Sequence, residues 1–151
     1  MKLSGAFHPP GDKSVSHRVA LISLLARGEI IIRGYSPCQD CASTLAAVKL
    51  LGGDVHFSPD SLRLKGLGGA LGESAAIDCG NSGTTMRLLM GILAGRPGRF
   101  ELNGDESLRL RPMERVAAPL RLMGAKVDCA DGRPPVRIDA VSYTHLRAHE
   151  T

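Results

Sequence analysis

The stretch Gly11-Asp12-Lys13-Ser14-Val15-Ser16-His17-Arg18 places a hydroxyl, an ammonium and a guanidinium where an extended segment turns into a helix. Pro9-Pro10-Gly11 can neither continue a helix nor pair as a central strand. Val15 to Ala26 is then an unbroken helix-compatible run closed by Gly28. Ser14 reads as the N-cap, with Lys13 just outside the helix and Arg18 on the same face at i+4 from Ser14. A helix start offers unpaired N–H groups and the positive end of a dipole. Ringed by these three side chains, it suits a phosphate or a carboxylate. The plain alternative is a capped surface helix with incidental basic residues. A nucleotide P-loop is excluded, because that motif needs glycine where Phe7 and Asp12 stand.

Two later stretches carry similar chemistry. Asp78-Cys79-Gly80-Asn81-Ser82-Gly83-Thr84-Thr85-Met86-Arg87 leads into a second apolar helix, Thr84–Ala94. Glycine at its start lets a ligand approach the backbone closely. Gly104-Asp105-Glu106-Ser107-Leu108-Arg109-Leu110-Arg111-Pro112-Met113 leads into a third, with Pro112 expected at the first helical position. Arg18 and Arg87 lie in otherwise apolar helices, which favours a specific partner over idle solvation. Asp40 reads as a helix N-cap. Asp105 and Glu106 could form an acid–base pair, but a turn and ion-pair role fits their place at the end of a strand better.

The elements that would position these residues repeat. Lys13–Arg18 overlays Ser82–Arg87, and each runs through an apolar helix into a β-rich stretch ending in glycine, Glu29–Gly34 and Arg99–Gly104. Second amphipathic helices end at Leu51-Gly52 and Met123-Gly124, where glycine can take the conformation that closes a helix. Short strands follow: Asp54–Ser58 and Leu62–Lys65, then Ala125–Cys129 and Val136–Asp139. Met113, Val116, Ala117, Leu120 and Met123 form one apolar stripe, which Pro119 should bend. The unit reads β-α-β-α-β-β, an α/β subdomain duplicated over about 5–66 and 75–140. The helices after the two binding motifs are apolar nearly all round, so both are expected inside with only their starts reaching a cleft.

Composition narrows the partners. The 151 residues suffice for one ordinary core. A net charge of +4 raises nucleic acid, but aromatics make up only 3% and tryptophan is absent, so stacking platforms are scarce. Small anionic metabolites fit the positive charge better. No apolar run reaches the length of about 18 residues that a membrane helix needs, and no secretory leader is visible. Cys38 and Cys41 form a C-x-x-C, but Cys79 and Cys129 do not make a second close pair, so buried thiols in a reducing cytoplasm are preferred to zinc. His145 and His149 lack an evident third ligand for a metal.

The three stretches, in this order and approximate spacing, resemble those of the 5-enolpyruvylshikimate-3-phosphate synthase family. The resemblance covers the chain to about Ala140. It implies two domains of three such units each, closing over the active site, with residues 1–140 as part of the first domain and about two units present. It also implies transfer of the carboxyvinyl group of phosphoenolpyruvate to the 5-hydroxyl of shikimate 3-phosphate, with release of phosphate, by a cytoplasmic monomer needing no metal or organic cofactor. Carried over residue by residue, Lys13 touches both substrates and is the catalytic candidate. Ser14 and Arg18 bind shikimate 3-phosphate, and Asn81, Gly83 and Arg111 bind phosphoenolpyruvate. The carboxylates that move protons belong to the other domain, so the 151 residues alone are expected to be inactive. Residues 141–151 match nothing expected there and read as a non-native tail. Transfer to UDP-N-acetylglucosamine is the nearest alternative, but that family opens with another motif and carries a cysteine where Asn103–Arg111 has none. A non-catalytic phosphate-binding module is the alternative from a different class.

Overall fold

Alternating burial along the strands and apolar stripes along the helices pack into a helical layer flanked by two sheets. The computed structural model describes residues 4–6 and 9–140. The helices are α1 (Lys13–Ser23), α2 (Gln39–Leu50), α3 (Gly83–Ala94), α4 (Glu106–Arg109) and α5 (Glu114–Leu122). The strands are β1 (Arg27–Ile32), β2 (Asp54–Ser58), β3 (Ser61–Leu67), β4 (Ser74–Asp78), β5 (Gly98–Asn103), β6 (Val127–Ala130) and β7 (Arg133–Ala140). One sheet is antiparallel in the order β1-β3-β2; the other runs β4-β5-β7-β6, with only β4 and β5 parallel. The chain is therefore mixed α/β, as the sequence implied. Setting β4 aside, the two sheets share one strand order, and both second helices end alike. Gly52 and Gly124 have φ of 98° and 97°. Gly52 N–H donates to the Lys49 carbonyl and Gly53 N–H to Val48; Gly124 and Ala125 do the same to Arg121 and Leu120. These are paired Schellman closures. An opening strand for the first unit falls partly on residues 7–8, outside the described residues, and residues 4–6 and 9–12 form none. The histidines at 145 and 149 and the tail at 141–151 also lie outside them.

A continuous apolar core runs from Leu21 and Leu24 through Leu64, Leu89, Met90 and Leu93 to Leu102, Met113 and Val136. On β3, Leu62 and Leu64 face it while Arg63 and Lys65 face outward, the alternation of a half-buried strand. Helix α3 is the central piece, with Met86, Leu89, Met90 and Leu93 all fully buried. It packs against α1, α2, α5, β5 and β7. The expectation of all-round burial fails for both helices: α3 leaves a face through Thr84, Leu88 and Gly91 exposed or half-buried, and on α1 Val15 and Ile22 are each 58% exposed.

Several local expectations are corrected. Helix α1 ends at Ser23 instead of continuing to Ala26: Leu24 and Leu25 donate three residues back, to Leu21 and Ile22, and the loop after β3 then ties down the chain, with Gly69 N–H donating to Leu24 and Gly68 N–H to Ala26. Pro112 precedes the N-cap Met113 and does not open the helix. The segment read as a turn after β5 holds the one-turn helix α4. Pro119 lies within α5 as expected.

Gly11 fixes the approach to α1. A Cβ there would stand 1.5 Å from the Gly34 carbonyl oxygen, a backbone atom with no room to yield. Gly11→Ala should therefore lower stability by about 3 kcal/mol or more, read as loss or a large downward shift of the thermal transition.

Candidate functional site

The start of α1 is built by Asp12. Its backbone is extended (φ −63°, ψ 129°), and its carboxylate accepts from Val15 N–H at 2.7 Å. Asp12, and not Ser14, is the N-cap, since a carboxylate one residue before the first helical position reaches the orphan N–H. Lys13 is thus the first helical residue instead of lying outside the helix, and the exposed Ser14 hydroxyl is not consumed by capping. Ser16 donates to the Asp12 carbonyl at 2.7 Å and accepts from Ser36 N–H at 2.9 Å, pinning the loop after β1 to this turn. Arg18 is exposed one turn further on. The Lys13 ammonium is paired with Asp40 of α2. That hydrogen bond raises the Lys13 pKa above its ordinary value, so the group is an ammonium throughout the neutral range. Asp40 is accordingly no cap; Cys38 holds the N-cap position of α2.

The start of α3 gathers the second cluster. Ser82 caps the helix, accepting from Thr85 N–H at 3.2 Å. The Asn81 amide donates to Asp105 at 2.7 Å and accepts from Arg111. Asp105 also caps α4 by accepting from Leu108 N–H at 2.8 Å. The Asn81 amide, then the Leu108 N–H, hold its carboxyl below the usual range, which suits a structural anion and not a proton carrier. Gly83 faces two guanidiniums. A Cβ there would stand 2.8 Å from Arg87 Nη1 and 3.4 Å from Arg111 Nη1. Arg87 donates to the Pro112 carbonyl at 3.2 Å, while its buried Nε has no partner. Burial first, then the nearby Arg115 and Arg111 charges, push the Arg87 pKa down. Two guanidiniums thus meet beside a helix start with no acidic residue in its first turn, and the Arg115 charge adds to their repulsion. An anion placed there relieves repulsion the protein itself leaves standing.

A buried polar chain joins the two clusters. His17 Nδ1 lies 2.6 Å from Thr44 Oγ1, which lies 2.6 Å from Thr85 Oγ1, which donates to Ser82 Oγ at 2.7 Å. These residues come from α1, α2 and α3 and are all buried. With one proton per hydroxyl, a consistent set runs from His17 Nδ1–H to Thr44, Thr85 and Ser82 in turn, which leaves Nε2 unprotonated. Burial and the Lys13 charge lower the His17 pKa, in keeping with a neutral ring. The chain sets the starts of α1 and α3 at one end of the helical layer, with α2 between them. Asp40 reaches Lys13, and Ser43, one turn further along α2, stands beside Gly80. Asn81, Gly83 and Arg111 are brought into one group; Lys13, Ser14 and Arg18 form the other. Sequence reasoning missed Thr44, Arg115 and the pairing of Asp40, whose partners all lie on other elements.

Residues 1–149 match the family described as EPSP synthase (3-phosphoshikimate 1-carboxyvinyltransferase). The chain belongs to the EPSP synthase family. It is 48% identical over 132 residues to the 3-phosphoshikimate 1-carboxyvinyltransferase of Herpetosiphon aurantiacus, covering 86% of this chain and 31% of that protein. It is 46% identical over 148 residues to that of Bacillus licheniformis, covering 97% and 34%. A solved EPSP synthase structure from Acinetobacter baumannii superposes with a TM-score of 0.84 at 40% identity, over 90% of this chain and 32% of that one. The chain therefore spans about a third of the length of these EPSP synthase relatives. Among the described residues, no helix is long and apolar enough to cross a membrane, and no three His, Cys, Asp or Glu side chains gather as a metal site.

The buried imidazole gives a pH signature. A histidine whose folded pKa lies below its unfolded value of 6.5 contributes nothing above that pH. Below it, the unfolded chain binds the proton first and stability falls, by up to about 1.4 kcal/mol per pH unit for one site. Thermal melts from pH 8 to pH 5 should show this loss, and His17→Asn should flatten it.

Proposed function

We propose that this chain supplies the substrate-gathering part of an enolpyruvyl transferase acting on shikimate 3-phosphate and phosphoenolpyruvate. The observation that carries the reading is the pairing of two cationic helix starts at one end of the helical layer, on a chain of the EPSP synthase family. Both substrates are polyanions, so bringing them together costs repulsion that fixed cations and oriented donors must offset. In this reading Lys13, Ser14 and Arg18 take shikimate 3-phosphate, with the Ser14 hydroxyl available because Asp12 does the capping. Asn81, Gly83 and Arg111 take phosphoenolpyruvate, with Arg111 as a bidentate donor already aimed by Asn81.

Lys13 stands between the two ligands in this scheme. Its raised pKa makes it a proton donor or a fixed positive charge and not a base. Substrate then competes with Asp40 for the ammonium, a competition that costs little because the pair is solvent-exposed. The carboxyvinyl group passes to the 5-hydroxyl of shikimate 3-phosphate, and phosphate leaves. In this reading the partners are the two small anionic substrates, with no metal or organic cofactor, and the protein works as a cytoplasmic monomer. The proton-transferring carboxylates lie outside these 151 residues, so the chain alone binds without turnover.

Two measurements test this. Calorimetric titration of the chain should detect shikimate 3-phosphate, and Lys13→Ala should weaken it. In a full-length relative whose matching segment is replaced by this one, Lys13→Ala should cut turnover by about 10²-fold or more with little change in melting. Wild-type turnover in that variant would sink the assignment. Gly83→Ala displaces the flexible Arg87 tip instead of backbone, so it should raise KM for phosphoenolpyruvate selectively. Equal weakening of both substrates would point to a folding defect.

A further inference from the structure

The start of α2 carries a reactive pair that the anion site does not use. Cys38 is the N-cap (φ −69°, ψ 152°) and Cys41 is the third helical residue. N-cap and N3 side chains meet across the first turn, which lets a C-x-x-C close a disulfide without unwinding its helix. The two residues stand one helical turn apart at the start of α2, and all four cysteines are free. The pair is asymmetric. Cys41 is fully buried, its Sγ donating to the Lys13 carbonyl at 3.6 Å. Cys38 is half-buried and lines a cavity of about 680 Å³ walled by Tyr35, Pro37, Leu45, Lys49 and Phe57.

The electrostatics follow the same division. The Ser36 hydroxyl, then the Cys41 N–H dipole, hold the Cys38 thiol below its ordinary value, although Cys38 does not reach capping geometry. Burial pushes Cys41 up to about 11. Burial also raises Cys79, to about 12, and Cys129. One accessible, activated sulfur beside one buried, protonated sulfur is the arrangement of an attacking and a resolving thiol.

We propose that Cys38 and Cys41 form a dithiol–disulfide exchange site, with a low-molecular-weight disulfide of the glutathione class as oxidant, admitted through the cavity beside Lys49. The Cys38 thiolate attacks one sulfur of the small disulfide, whose S–S bond breaks. The first thiolate leaves and takes a proton from water, and a mixed disulfide remains on Cys38. Cys41 then gives its proton to water and attacks the Cys38 sulfur, expelling the second thiolate, which is protonated in turn. Two electrons pass from the protein to the small disulfide, and excess thiol reverses the sequence. The lysine on the cavity wall suits the carboxylates of a peptide disulfide. Closing the bridge also removes the Cys41 donor from the Lys13 carbonyl and tightens the turn that carries Asp40, so the redox state reaches the Lys13 pair.

The chain is equilibrated with mixtures of reduced and oxidised glutathione, quenched in acid and alkylated in denaturant, and its labelled cysteines are mapped by mass spectrometry. Oxidising mixtures should protect Cys38 and Cys41 together and leave Cys79 and Cys129 labelled, with full reversal by excess thiol. Cys41→Ser should stop at a glutathione adduct on Cys38. Cys38→Ser, a change at a half-buried position that keeps the fold, should lose all protection. Labelling of all four cysteines under oxidising conditions would overturn the proposal. So would an adduct on Cys129 alone, or protection of Cys41 that persists in Cys38→Ser.

Discussion

The arrangement of the helical layer depends on one buried run of short hydrogen bonds, from His17 through Thr44 and Thr85 to Ser82. Each neutral hydrogen bond adds only about 0.5–1.5 kcal/mol net. Their force lies in the penalty for breaking them: a buried hydroxyl or imidazole left unpaired forfeits its solvation with nothing in return. An apolar interface between α1, α2 and α3 would tolerate sliding by a fraction of a turn. A run of four polar groups drawn from three helices does not. It sets their register at the end where the two cationic motifs sit, and so sets the distance between them.

The two cationic motifs are neutralised differently. At α1, Lys13 already has a carboxylate partner in Asp40, and Asp12 caps the helix with a second negative charge. At α3, the cap is the neutral Ser82, and Arg87, Arg111 and Arg115 crowd together with part of Arg87 buried and unpartnered. A ligand at the first must displace a carboxylate; a ligand at the second relieves standing repulsion. Uncompensated charge of this kind costs stability, which packing elsewhere must offset. Here that packing is the wholly buried row of Met86, Leu89, Met90 and Leu93 directly behind the cluster.

Helix α2 gives the layer its economy. Its first two turns supply Asp40 to Lys13, Ser43 beside Gly80, and Thr44 to the buried chain, while Cys38 and Cys41 occupy the same turns. One short segment thus touches both cationic motifs and carries the pair of thiols. Any change in its first turn is felt at Lys13.

The sequence by itself determined the α/β class, the succession of the main helices and the strands between them, and the cationic motifs; it missed the one-turn helix α4. Those signals are local: apolar period, glycine after a helix, proline before one. The Schellman endings at Gly52 and Gly124 were legible because the glycine and the end of the apolar stripe lie within a few residues of each other. Neighbouring residues competing for one task were harder. Asp12, Lys13 and Ser14 all stand at the start of the same helix, and only the backbone angles decided that Asp12 caps it. Tertiary structure alone decided the rest. It paired Asp40 with Lys13, threaded Thr44 between His17 and Thr85, gathered Arg115 with Arg87 and Arg111, and left Val15 and Ile22 of α1 exposed. The pairings join residues far apart in sequence across element boundaries, and the exposure of Val15 and Ile22 depends on which neighbours pack on α1. No local period encodes such a meeting; it follows from how the layers settle over a common core.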